Sequence, residues 1–340
     1  MSGDILPFVS AMLVMRNEEA FIKGALGSLL QQDYPFDRFE ILVIDGMSDD
    51  ASISMAEETV KEHKSRHGGI SPEVRYFQNP DKLLAAGWNL GIKESKGDLL
   101  VRIDAHAAAE RDFISSAVRV MQQQPQASCV GGVLTSMPSS PEGELVAHAL
   151  SSPFGVGNSR FRISGKPGVV DTVAFGLYRK EIFQLAGPFN ESLRRNQDND
   201  MHGRIRDAGG IFWFDPSIRS TYFTRGTVRG MMKQAFGNGK WNAVLLRKRP
   251  QALSLRHLIP FFFVCSLILL ILLTILHPIF GWLCLAALLM HLSLGVYFAL
   301  KKVRGIKRVL TLYGIFLLLH LSYGTGTTLG LLSPLPKGVR

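Results

Sequence analysis

The chain has 340 residues, 46% of them hydrophobic, and a formal net charge of +10, enough for one catalytic domain and a smaller appendage with more apolar surface than a wholly soluble protein needs. All 28 acidic residues lie at or before Asp215, whereas 16 of the 38 Lys and Arg lie beyond it, interleaved with long apolar runs. That pattern disfavours nucleic acid as a partner and favours a lipid bilayer with an anionic surface.

Residues 5–15 are apolar, but Asp4 precedes them and Arg16-Asn17-Glu18-Glu19 follows, so a buried strand over 8–15 is expected rather than a signal peptide. Residues 18–31 read as a helix, with Phe21, Ile22, Ala25, Leu26 and Leu29 on one face. Residues 39–44 read as a strand closed by Asp45-Gly46-Met47-Ser48-Asp49-Asp50, whose polar end can cap a helix at 52–63. A strand at 74–77, a helix at 85–94 and a strand at 99–103, ending in Asp104-Ala105-His106, continue the alternation. It predicts an α/β fold with a mostly parallel sheet. In open sheets of this kind ligands bind beyond the carboxyl ends of strands, where both polar clusters fall.

From residue 216 the character changes. Arg225, Arg229, Lys233, Lys240 and Arg247–Arg249 alternate with Val228, Met231, Phe236 and Trp241, predicting an amphipathic interfacial segment over 216–256. Three uncharged apolar runs follow, 258–276, 279–300 and 309–332, each long enough as a helix to cross a hydrocarbon core of about 30 Å. Gly326 and Gly330 in the third have the spacing of closely packed helices. The expected division is therefore a catalytic domain at 1–215, the interfacial segment, and a membrane domain at 257–332. Basic residues flank the first run at 247–256 and fill 301–308, with none at 277–278. The positive-inside rule then predicts a multi-pass protein of the inner (cytoplasmic) membrane with its catalytic domain in the cytoplasm. Cys129, Cys265 and Cys284 have no metal-ligand spacing and suit a reducing compartment.

Three clusters carry chemistry. Asp45, at a strand end, could accept hydrogen bonds from a nucleobase or ribose, or simply form the turn. Asp104 and His106 are two apart in extended backbone and share a face. They could hold a divalent cation against a diphosphate, or be an ordinary strand-end pair. Asn196-Gln197-Asp198-Asn199-Asp200 opens a helix ended by Gly209-Gly210. Its carboxylates suit a general base tuned by a neighbour such as Arg204, and equally a helix N-terminus favoured by the macrodipole.

Taken in order, D-G-x-S-D-D at 45–50, N-L-G-I-K-E-S-K-G-D at 89–98, D-A-H at 104–106, G-P-F-N-E-S at 187–192 and Q-D-N-D-x-x-x-R-x-R-x-A-G-G at 197–210 resemble glycosyltransferase family 2, over about residues 8–260. Within it the chain is similar to the ExoA-like succinoglycan glucosyltransferases, on the stretches 101–106, 170–176, 195–198 and 237–241. The resemblance implies a GT-A fold and an inverting transfer of one sugar, glucose from a UDP-linked donor, to a polyprenyl-diphosphate-linked oligosaccharide in surface polysaccharide synthesis. It implies that Glu18 and Asp45 contact the nucleoside, that Asp104 and His106 hold Mg²⁺ or Mn²⁺ at the donor diphosphate, and that Asp198 is the catalytic base. His106 stands where a second Asp is more usual, and Gln197 where many relatives have Glu. Trp241 resembles the Trp of the Q-x-x-R-W motif of processive synthases, but Gln234 is too far upstream and the Arg is missing, which argues for single-sugar addition. Arg225 and Arg229 are expected at the acceptor diphosphate or the interface. The competing expectations are transfer to a polyprenyl phosphate or a glycolipid, and an inactive membrane scaffold.

Overall fold

The computed structural model describes residues 6–163, 165–224 and 226–336. Nine strands form one sheet: β1 (Val9–Met15), β2 (Phe39–Asp45), β3 (Glu73–Gln78), β4 (Leu99–Asp104), β5 (Ala107–Ala109), β6 (Ala127–Pro138), β7 (Gly168–Val170), β8 (Leu177–Arg179) and β9 (Ile211–Thr224). Their order is β3-β2-β1-β4-β8-β6-β9-β5, with β7 on β9. β3, β2, β1 and β4 run parallel, as the alternating sequence requires. β8 is antiparallel to both β4 and β6, and β5 and β7 are antiparallel to β9, so the sheet is mixed rather than mostly parallel.

β1 and β2 are buried at every position. Their apolar residues run continuously because both faces of a parallel sheet are covered. The helices Ile22–Leu30, Ser52–Arg66 and Leu84–Glu94 supply the crossovers. Register then sets the working edge: Met15 lies opposite Asp45, and Val14 opposite Asp104. The loops after β1, β2 and β4 therefore leave the sheet side by side.

The chain divides into two compact units, Met1–Thr135 with Ser164–Tyr222, and Ser136–Ile163 with Phe223–Arg340. The structure draws this division elsewhere than at 215, because residues 136–163 pack with the C-terminal helices. Val146 and Ala149 share a core with Met231, Ala235, Leu312, Phe316 and Leu319.

In the second unit, helix Val228–Lys248 lies along helix Ile306–Leu332. A Cβ on Gly326 would stand 2.2 Å from the Phe236 carbonyl oxygen, and one on Gly239 would stand 2.1 Å from that of Tyr323, so only glycine permits this approach. The small-residue spacing read from the sequence thus finds its partner in the basic segment. Arg247 donates to the Gly330 and Ser333 carbonyls, satisfying the helix end. Ile279–Leu300 and Ile306–Leu332 are long and apolar enough to cross a membrane. The first expected span is not: Ile259–Leu273 has 15 residues, about 22 Å at the helical rise of ~1.5 Å per residue. The regular helix stops before the His277-Pro278 turn, where proline cannot continue it.

Candidate active site

The loops at the carboxyl edge are stitched together by side chains. The Glu18 N–H donates to Ser52 Oγ at 2.7 Å, and the Asn17 N–H to Ser48 Oγ at 2.9 Å. In return Asn17 Oδ1 accepts from the Asp49 N–H at 3.1 Å. Asp50 accepts from the Ser52 N–H at 3.0 Å, just ahead of the helix, whose N-cap position is Ala51. Asn17, Met47 and Lys82 all hold left-handed backbone, with φ of 55°, 57° and 58°. Such strain outside glycine costs about 1 kcal/mol or more per residue and gathers at functional sites. Here it falls in the three loops leaving β1, β2 and β3.

These loops surround a cleft of about 200 Å³. Arg16, Glu18, Gly46, Asn79, Lys82, Asp104 and His106 are among its lining residues. Glu18, Asp104 and His106 thus lie on one cleft. Asp45 is not on the cleft wall. It is 5% exposed, and its carboxylate accepts from the Ser48 N–H and hydroxyl, so it builds the turn that presents Gly46. The Glu18 carboxylate meets Nδ1 of His106 at 3.1 Å, and Nε2 of that ring meets the Tyr222 hydroxyl at 3.2 Å.

Asp198 opens the helix Gln197–Asp207, just after Asn196 in left-handed backbone. Arg204 does not serve it. Its guanidinium pairs with Asp200 at 2.9 Å, one helical turn back, and donates to the Ala186 carbonyl. The neighbour that matters is Arg102, passed over in the sequence because it sits within a buried strand. Arg102 and Asp104, two apart on β4, project from the same face. Arg102 is 8% exposed, lies 5.4 Å from the Trp88 ring, and its Nε has no hydrogen-bond partner. Burial pushes this guanidinium down, but Tyr178, Asp198 and Asp104 around it push it up further, and the net shift is upward. One buried cation thus interacts with both the Asp of the D-A-H cluster and the Asp of the helix. The available signal was an arginine in an otherwise apolar run.

Beside it His202 is fully enclosed, with Nδ1 2.6 Å from the Thr172 hydroxyl and Nε2 2.7 Å from that of Tyr178. Burial, and then Arg102, push its pKa down to about 3, so the ring is neutral at neutral pH. Of the expected acceptor residues, Arg229 is exposed and Trp241 half-buried, both on helix Val228–Lys248. Arg225 lies outside the described residues.

The family model for glycosyl transferase family 2 matches residues 10–185, more than half of the chain. The chain belongs to glycosyltransferase family 2. This glycosyltransferase is 27% identical over 246 residues to the dolichyl N-acetyl-α-D-glucosaminyl phosphate 3-β-D-2,3-diacetamido-2,3-dideoxy-β-D-glucuronosyltransferase of Methanococcus voltae, covering 71% of this chain and 74% of the relative. It is 26% identical over 267 residues to the succinoglycan biosynthesis protein ExoA of Rhizobium meliloti, covering 76% and 77%. Among solved structures, the mannosyltransferase PcManGT of Pyrobaculum calidifontis, in complex with GDP-Man and Mn²⁺, aligns with a TM-score of 0.56 at 18% identity. The alignment covers 96% of this chain and 85% of that one, a likeness of fold.

Proposed function

We propose that the glycosyltransferase is an inverting enzyme that moves one sugar, glucose from a UDP-linked donor, onto a polyprenyl-diphosphate-linked oligosaccharide at a membrane, in surface polysaccharide synthesis. The observation that carries this reading is the cleft at the carboxyl edge, which gathers Glu18, Asp104 and His106 with the cations Arg16 and Lys82. The charge of buried Arg102 acts on both Asp104 and Asp198, which supports a donor-side carboxylate and a candidate base belonging to one site, as a one-step displacement needs. Names of relatives support the acceptor class: one acts on a dolichyl phosphate-linked sugar and another in succinoglycan biosynthesis.

Asp104 and His106 offer one oxygen and one nitrogen ligand. Among the described residues no group of three or more His, Cys, Asp or Glu is placed to hold a metal ion together. Two protein ligands fit Mg²⁺ or Mn²⁺, which complete their shell with phosphate oxygens and water. A cation held there would neutralise charge on the departing diphosphate. Arg16 and Lys82, on the cleft wall, add positive charge for the same anion. The Gly46 turn, braced by Asp45, offers backbone close to the nucleoside. Asp198 takes the proton from the acceptor hydroxyl as the new glycosidic bond forms and the old one breaks, with inversion at the anomeric carbon.

The exposed apolar faces of Ile279–Leu300 and Ile306–Leu332 support membrane anchoring, with the basic segments at 247–256 and 301–308 toward the cytoplasm. The test is release of nucleoside diphosphate from a panel of nucleotide sugars, using the full chain with extracted lipid-linked acceptors. Asp198→Asn should lower acceptor-dependent turnover at least about a hundredfold with donor affinity kept, EDTA should abolish turnover, and NMR of the product should show inverted configuration. Turnover unchanged in Asp198→Asn would place the base elsewhere. Silence with every donor from a folded protein would favour a scaffold.

A further inference from the structure

An imidazole that serves as a metal ligand needs an orienting partner, because only one of its nitrogens can be the ligand. His106 is held on both nitrogens. Glu18 Oε1 lies 3.1 Å from Nδ1. An ionised carboxylate only accepts hydrogen bonds, so Nδ1 carries the proton and, in the neutral ring, Nε2 keeps the lone pair. The Tyr222 hydroxyl, 3.2 Å away, donates to that lone pair, and its ring stands edge-on to the imidazole with centroids 5.0 Å apart. Glu18 is itself fixed, its N–H bonded to Ser52 in the stitched loop. The residues come from the loop after β1, the loop after β4 and the end of β9, 88 and 116 positions apart in sequence.

We propose that Glu18 is a positioning residue for the cation site: it fixes His106 in the tautomer that presents Nε2 as a nitrogen ligand, while Tyr222 competes with the cation for that atom. This assigns Glu18 to the metal rather than to the nucleoside. It rests on the reading in which Asp104 and His106 hold a divalent cation. Carboxylate–imidazole–metal relays of this form orient the ring and raise its basicity, and losing the outer carboxylate typically weakens metal binding about ten- to a hundredfold. A nitrogen ligand also shifts preference from Mg²⁺ toward Mn²⁺.

The experiment is Mn²⁺ titration by electron paramagnetic resonance into the purified full chain with UDP, repeated with GDP, alongside nucleotide binding in EDTA. Glu18→Ala should weaken Mn²⁺ about ten- to a hundredfold yet leave nucleotide binding in EDTA unchanged. Glu18→Gln, which keeps an acceptor oxygen without the charge, should fall between and serves if the alanine variant misfolds. Tyr222→Phe should tighten Mn²⁺ about threefold, the value of one neutral hydrogen bond. His106→Asp should move preference toward Mg²⁺ and make Glu18→Ala harmless in that background. Three results overturn the proposal: wild-type Mn²⁺ affinity in Glu18→Ala, an equal loss of nucleotide binding in EDTA, or the same loss in the His106→Asp background. Wild-type protein that binds nucleotide with no Mn²⁺ dependence, and is unaltered by Asp104→Asn, would instead remove the cation reading beneath it.

Discussion

The two units treat polarity in opposite ways. The first buries charge and compensates it. Glu40, fully enclosed, accepts from Ser10, Arg75 and the Lys96 N–H. The charge of buried Arg102 is favoured by Asp104 and Asp198, and His202 is kept neutral between two hydroxyls. The second unit packs backbone on backbone through glycine and turns large apolar side chains outward, with Ile275 84%, Leu276 76% and Trp282 67% exposed. A buried polar group is costly unless paired, so the first unit spends its core on holding reactive side chains. An outward apolar face is costly only in water, so the second is built for a hydrocarbon environment.

The sharpest break in this contrast is Arg102→Met. It removes a buried cation whose charge acts on Asp104 and Asp198, and should destabilise the first unit by about 1–3 kcal/mol, as leaving buried polar groups uncompensated does. Denaturant unfolding read through Trp88, which is buried beside Arg102, checks it, and a loss below about 1 kcal/mol would mean that the carboxylates are satisfied elsewhere.

Next comes Gly326→Leu, which drives a side chain into the Phe236 carbonyl. A cost of about 3 kcal/mol, typical of overpacking, is expected from thermal unfolding in detergent. Gly314→Ala, on the same helix with nothing within 4 Å of the added methyl, should be neutral or gain up to about 1 kcal/mol from helix propensity. Similar losses in both would show that the glycine contacts carry no specificity.

The third effect depends on pH. His202 has its folded pKa depressed to about 3, against an unfolded value of about 6.5. The unfolded chain therefore binds the proton first, and stability falls as pH drops below about 6.5 toward about 3. Between pH 7 and pH 5 the loss is about 2 kcal/mol from this group, measured by urea unfolding at each pH. His202→Gln should flatten that slope, and an unchanged slope would mean that the ring is protonated in the fold.

How much of this was legible follows the same contrast. The strands at 8–15, 39–44 and 99–103 were readable because parallel strands buried on both faces are largely apolar runs with turn residues between them, and the half-exposed strand at 74–77 by its short β-rich run. Glycines 326 and 330 announced a helix contact by spacing alone. The short strands β5, β7 and β8 of the antiparallel half were not readable, since they have three residues each and no period shows in three. Nor could local pattern say that Arg204 pairs within its own helix or that Glu18 meets His106. Those partners are chosen by the topology, which sets residues nearly a hundred positions apart at one sheet edge.

The discontinuity of the units has a consequence for how the chain is made. Residues 136–163 leave a sheet that cannot be completed until β9 has been synthesised, because β9 pairs with β6, β5 and β7. Their own core partners, Leu312, Phe316 and Leu319, are translated more than a hundred residues later. During that interval Val146 and Ala149 have no finished core to enter, and such exposed apolar segments are where nascent chains aggregate. Full burial of the 136–163 segment therefore waits on the helix Ile306–Leu332.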